Sequence, residues 1–360
     1  MDLSGVLGMK WIWPITIFLL LFPACQPPAA SPLPTVAATA VTLVLATDLP
    51  ATATAVPPTI IPASPTPLPT VTAVPPTPYP DASATVTPSP TATITPTAAP
   101  RAVINGIPIE EIIIMSPNVI AHMRQVFSAG QASGRSANTF SKIGDSVIAN
   151  GDFLTRFDVP GAYTLGPYED LQPVIDFFRG SWKRYGVGMH IGLRAWGVFD
   201  PLWADKDWCE PNETLIDCEF RLNNPSLVVI HLGSNDLDPT FDRFMRDVVQ
   251  HSLDNGVIPI ILTKADRYEG EDNRNNIAMR QIAADFEVPL LDFDIVAETL
   301  PNRGIKEGDN VHLSGPLQFD YNLPETYEKG HSVHNLTVLF MLERVLNEII
   351  LPEIQDNSSG

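Results

Sequence analysis

The chain has 360 residues, with 41 acidic against 22 basic side chains and a formal net charge of −19. So acidic a balance argues against nucleic acid or anionic lipid headgroups as partners and favours solubility, while leaving the fold open. Most of the 36 prolines lie before Arg101, which separates a segment that cannot bury a core from one that can.

At the amino terminus Lys10 precedes an apolar stretch from Trp11 to Phe22 that ends in Pro23-Ala24-Cys25. A basic start, an apolar middle and a small residue before the cut read as a secretory signal. The run is shorter than the roughly 20 residues a spanning helix needs. Segment 1–25 resembles a bacterial lipoprotein signal, which implies lipidation of Cys25 after cleavage. Phe22 stands where the usual leucine would be, with Leu21 one place further out. An uncleaved anchor or a plain secretory peptide is the competing reading.

From Gln26 to Pro100 the composition turns to Pro, Thr, Ala and Val with almost no charge, as in Pro65-Thr66-Pro67-Leu68-Pro69-Thr70. Proline density favours polyproline II, at about 3.1 Å per residue, a reach on the order of 200 Å. Residues 26–100 are therefore expected to form a disordered stalk that lifts a domain off a membrane. A disordered binding tail is the alternative.

Arg101 to Gly360 suffices for one α/β domain. Cys209 and Cys218 lie close together there, and in an exported protein they read as a local disulfide rather than a metal site. Thr139–Ile143, Ser226–Leu232, Val257–Leu262 and Val288–Phe293 are apolar runs of strand length. Phe241, Phe244, Met245, Val248, Val249 and Leu253 recur at helical spacing between two of them, closed by Gly256. Ile277, Ile282 and Phe286 mark a second helix, and Asn335–Ile349 a closing one. This alternation predicts a three-layer αβα sandwich around a central parallel sheet, with Thr139–Ile143 as first strand.

Ligands of such sheets bind beyond the carboxyl ends of the strands, so polar clusters just after strands are where chemistry is sought. Gly144-Asp145-Ser146 follows one strand; a serine there points from a tight turn into the cleft. Gly233-Ser234-Asn235-Asp236 follows another, and the Asn235 amide is a donor suited to an oxyanion. Asp309-Asn310-Val311-His312 lies late in the chain. Its carboxylate, three residues before the histidine, can hold one ring nitrogen and leave the other free as a base. Each of the first two alone also fits a turn with a helix cap, Asp236 then capping a helix that starts near Pro239, and the third alone fits an ordinary polar loop.

Together, in this order, the three clusters resemble the SGNH/GDSL hydrolases, named for a serine in GDS, a glycine, an asparagine in GxND and a histidine in DxxH. The resemblance covers most of residues 101–360 and implies a flavodoxin-like SGNH fold. It further implies Ser146 as nucleophile, His312 as base and Asp309 as its orienting group. The implied oxyanion hole is the N–H of Ser146, Gly192 and the Asn235 amide, with Gly188 and Gly197 competing for the glycine's place. The chain departs from the family at Val147, where leucine is common, and at Leu313 after the histidine. Gly315–Glu328 reads as an insertion at the cleft rim, and Trp203–Phe220 as a second one carrying the disulfide.

His231 falls in a buried strand, and His331 with His334 at a helix start, where capping or exposure is commoner than metal binding. Lys264-Ala265-Asp266 lies on the functional edge, as a substrate contact or as a cap. No HExxH, CxxC, P-loop or GxSxG occurs. The expectation is a monomeric extracellular serine esterase without a cofactor, anchored by lipid, whose ester-bearing substrate is an acylated polysaccharide rather than lipid. The alternative is a catalytically silent glycan-binding or scaffolding module of the same fold.

Overall fold

The computed structural model describes residues 102–315 and 319–358. The signal segment with Cys25 and the 26–100 stalk lie outside the described residues. No helix among the described residues is long and apolar enough to cross a membrane.

The domain is mixed α/β, built on a five-stranded, mostly parallel sheet and compatible with a three-layer arrangement. Its strands are β1 (Ile113–Ile114), β2 (Ser136–Gly144), β3 (Pro225–His231), β4 (Ile258–Leu262) and β5 (Leu290–Leu291), in the order β1-β5-β4-β3-β2. The sequence leads one to expect a parallel sheet that begins near Thr139. Instead β1 precedes that strand and pairs antiparallel with β5. Two residues carry no period, so this edge strand left no trace in the pattern.

All seven residues of β3 are buried, as a strand covered on both faces requires. The principal helices are α1 (Pro117–Ala132), α2 (Leu215–Asn223), α3 (Phe241–Asp254), α4 (Arg274–Asp285) and α5 (Gly330–Val345). Pro117 opens α1, and the Ser116 hydroxyl accepts the Val119 N–H as its cap. Of the expected apolar stripe of α3, Phe241, Met245, Val248 and Val249 are buried, and Phe244 and Leu253 are half-buried. Every residue of α5 except Arg344 is buried, the polar His331, Ser332, His334, Asn335, Thr337 and Glu343 included.

Register fixes where the strands stop. Gly144 lies opposite His231, Ile230 opposite Ile261, and Leu262 opposite Leu291. The turns that follow β2, β3 and β4 therefore emerge side by side at one edge of the sheet. A small parallel pairing of Tyr163–Thr164 with Phe319–Asp320 ties the segment after His312 to the chain following Ser146.

Candidate active site

Ser146 follows β2 in a turn shaped by its neighbours. A Cβ at Gly144 would collide with the His231 carbonyl oxygen and the Ile148 side chain, so only glycine lets β2 and β3 approach this closely. The Asp145 carboxylate accepts the Val147 N–H at 3.0 Å, closing the turn around the serine. Burial pushes the Asp145 carboxyl up to about 7.

The loop after Gly304 doubles back on itself: Ile305 bridges Leu313, and Lys306 N–H donates to the His312 carbonyl. That hairpin holds Asp309 and His312 together. Asp309 accepts the His312 and Val311 backbone N–H groups at 3.0 and 2.9 Å, and its carboxylate lies 2.9 Å from His312 Nδ1. The His312 backbone N–H, more than any other group, keeps the Asp309 carboxyl well below the usual carboxylate range. An ionised Asp309 cannot donate, so Nδ1 carries the proton and Nε2 is left as the acceptor. His312 Nε2 lies 2.9 Å from Ser146 Oγ. The structure thus assembles Ser146, His312 and Asp309 into one hydrogen-bonded line.

The second cluster sits beside it. Gly233 adopts φ +112°, a conformation that L side chains rarely take, and so permits the turn after β3. Asn275 of α4 donates its side-chain amide to both the Gly233 and Asp236 carbonyls, at 2.9 and 2.8 Å, clamping the turn from beneath. Asn235 Nδ2 reaches the Leu193 carbonyl at 3.3 Å. Asp236 does not cap a helix: α3 starts at Phe241 after Thr240, and the Asp236 carboxylate instead accepts the Ala195 N–H at 3.1 Å. Its carboxyl is pushed up to about 7 by burial.

These two bonds bring the Gly192 segment to the site from one side; β2 brings it from the other. Gly144 N–H donates to the Gly188 carbonyl, and His190 N–H to the Gly144 carbonyl at 3.0 Å. Of the three glycines that the sequence puts forward as an oxyanion donor, Gly188 spends its N–H on Glu219 at 3.0 Å and Gly197 on the Arg194 carbonyl at 2.9 Å. Among the described residues the N–H groups of Gly192 and Ser146 have no hydrogen-bond acceptor.

Lys264-Ala265-Asp266 offers nothing to a substrate, since all three side chains are buried. Lys264 Nζ binds Asp266 at 2.9 Å and also Glu269, and Asp266 accepts the Ser234 hydroxyl at 2.8 Å. The turns after β3 and β4 are joined through this buried ion cluster. His331 and His334 are neither caps nor exposed: both are buried in α5, and burial pushes His331 down to about 4 and His334 well below its ordinary value. His231 is buried as expected and is likewise pushed down to about 4 by burial.

No protein-family model matches this chain, and no curated protein matches it.

Cys209 and Cys218 form a disulfide within the Trp203–Phe220 segment. This segment borders a cavity of about 770 Å³, whose wall includes Met189, His190 and Ile191, the residues leading to Gly192. Sequence reasoning missed Asn275 and Glu219. Each is one polar residue in an otherwise ordinary amphipathic helix, and only the three-dimensional arrangement shows what it holds.

Proposed function

We propose that the chain is an extracellular serine esterase of the SGNH/GDSL type, removing ester-linked acyl groups such as acetyl groups on a glycan. One observation carries the proposal: Ser146 Oγ lies 2.9 Å from His312 Nε2, whose Nδ1 lies 2.9 Å from Asp309. Nucleophile, base and orienting group within hydrogen-bond reach of one another are what acyl transfer needs.

In that chemistry Ser146 Oγ attacks the ester carbonyl as its proton passes to His312 Nε2. The carbonyl oxygen becomes an oxyanion, which the N–H groups of Ser146 and Gly192 and the Asn235 amide stabilise. As the intermediate collapses, the C–O bond to the alcohol breaks and His312 returns the proton to the leaving oxygen. A water molecule, deprotonated by His312, then attacks the acyl-Ser146 ester, releasing the acid and restoring the hydroxyl. Asp309 stays ionised throughout and balances the transient imidazolium.

The anchor and stalk read from residues 1–100 suit an enzyme held near the cell surface to act on an external polymer. A catalytically silent module would have no use for a histidine both aimed at a serine and backed by a carboxylate. Hydrolysis of p-nitrophenyl acetate by the full chain, with Ser146→Ala and His312→Ala alongside, tests the proposal. Turnover lost in both folded variants supports it, and turnover retained in Ser146→Ala defeats it.

A further inference from the structure

The cavity of about 770 Å³ beside the Gly192 segment has a composition that selects its occupant. Four large apolar side chains in its lining remain open to water: Ile191 at 79%, Trp208 at 66%, Tyr185 at 56% and Leu222 at 40% exposure. A concentration of exposed apolar side chains of this kind marks a binding surface rather than ordinary protein exterior.

The framework under these side chains is fixed. Buried Glu219 accepts the Ser141 hydroxyl at 2.6 Å and the N–H groups of Val187 and Gly188 at 2.7 and 3.0 Å, which holds the inner wall to β2. Trp208 is pinned through its backbone: its N–H donates to the Asp205 carbonyl, its carbonyl accepts from Arg221 at 3.1 Å, and the next residue, Cys209, is bonded to α2 through Cys218. An exposed ring on a fixed backbone is a preorganised platform.

Three features favour a neutral sugar chain. A site for an acyl chain would seal its apolar side chains from water, whereas these lie open. The lining carries one acid, Asp205, and one guanidinium, Arg184, which is bonded to the Phe140 carbonyl, so it offers no surplus of positive charge to an anionic ligand on a chain of net charge −19. A pyranose ring has an apolar face for an aromatic ring and a rim of hydroxyls for a carboxylate such as Asp205, and it keeps part of its hydration when stacked. The wall also continues into the candidate active site, because His190 N–H is bonded to the Gly144 carbonyl two residues before Ser146.

We propose that this cavity is a glycan subsite, in which Trp208 and Tyr185 take the apolar faces of sugar rings of a chain whose ester group lies at Ser146. The inference rests on the esterase reading for the position of the ester, but not for sugar binding itself.

The test uses the full chain, with O-acetylated xylo- and cello-oligosaccharides, p-nitrophenyl acetate and p-nitrophenyl decanoate as substrates. Trp208→Ala should raise KM for the sugar esters about tenfold more than for p-nitrophenyl acetate, and Trp208→Phe should recover most of the loss. Calorimetric titration of Ser146→Ala with the same oligosaccharides should show binding that Trp208→Ala weakens by a similar factor. Equal losses on all esters, a loss confined to the decanoate, or no oligosaccharide binding overturns the proposal. Binding through Trp208 by a chain that hydrolyses no ester would defeat the esterase reading and leave the glycan subsite standing.

Discussion

Ser234 donates its hydroxyl to Asp266 across 2.8 Å, with both side chains buried, so the turn that carries Asn235 is tied to the turn after β4. Lys264 completes the cluster as a cation bonded to both Asp266 and Glu269. Breaking a buried ion pair leaves uncompensated charge in the interior, so Lys264→Met should cost about 3–5 kcal/mol of stability. Urea denaturation at neutral pH measures this. A loss of less than about 1 kcal/mol, the value of an exposed pair, would show that the cluster does not brace the edge.

The donors of the proposed oxyanion hole separate by their distance from the chemistry. On that proposal Asn235→Ala removes a donor and should lower kcat about 100-fold to 1000-fold with little change in KM. Asn275→Ala leaves the Asn235 amide in place but frees the Gly233 and Asp236 carbonyls, and should lower kcat by a smaller factor, about tenfold, with some loss of stability. Steady-state kinetics of the two variants check the order. A larger kcat loss for Asn275→Ala than for Asn235→Ala would contradict the assignment of Asn235.

Asp309 accepts two backbone N–H groups besides the His312 ring, and it stays ionised well below neutral pH. Asp309→Asn removes the charge that balances the imidazolium, and kcat should fall by about 10³-fold to 10⁴-fold. Steady-state kinetics of the folded variant measure the loss. A kcat within about tenfold of the parent's would contradict the role of Asp309.

The turns after β2 and β3 were legible because strand, glycine and polar cluster are contiguous in sequence, as in Gly144-Asp145-Ser146 and Gly233-Ser234-Asn235. Strands β2 to β4 were legible through their apolar runs, which both-faced burial demands. Asn275 and Glu219 were not, since a polar residue that turns inward from a helix looks like one that turns outward. His331 and His334 were misjudged for a related reason: a helix start suggests exposure, but α5 is buried on every side. The antiparallel β1 was too short for any periodicity to mark it.

Buried histidines make the stability depend on pH. His231 and His331 are held near 4 in the fold against 6.5 ordinarily, and His334 is lowered as well. Between those values the unfolded chain binds protons that the folded one cannot, so each group destabilises the fold as pH falls from about 6.5 towards about 4. Asp145 and Asp236, raised to about 7, act in the opposite sense, because the folded form there keeps protons that the unfolded form releases. His190 is lowered by burial as well, so the groups that destabilise the fold towards acid outnumber the two carboxyls that oppose them. The melting temperature should therefore drop between pH 6.5 and pH 5, and drop less in His334→Leu. Equal slopes in parent and variant would contradict the inference.

The central claim, that Ser146 is an activated nucleophile, is tested most directly by covalent labelling. The full chain is treated with a fluorophosphonate, which reacts only with an activated hydroxyl, and the adduct is located by peptide mass spectrometry. The account predicts a single adduct on Ser146 that disappears in His312→Ala. No adduct on the folded chain, or an adduct on another residue, would contradict it.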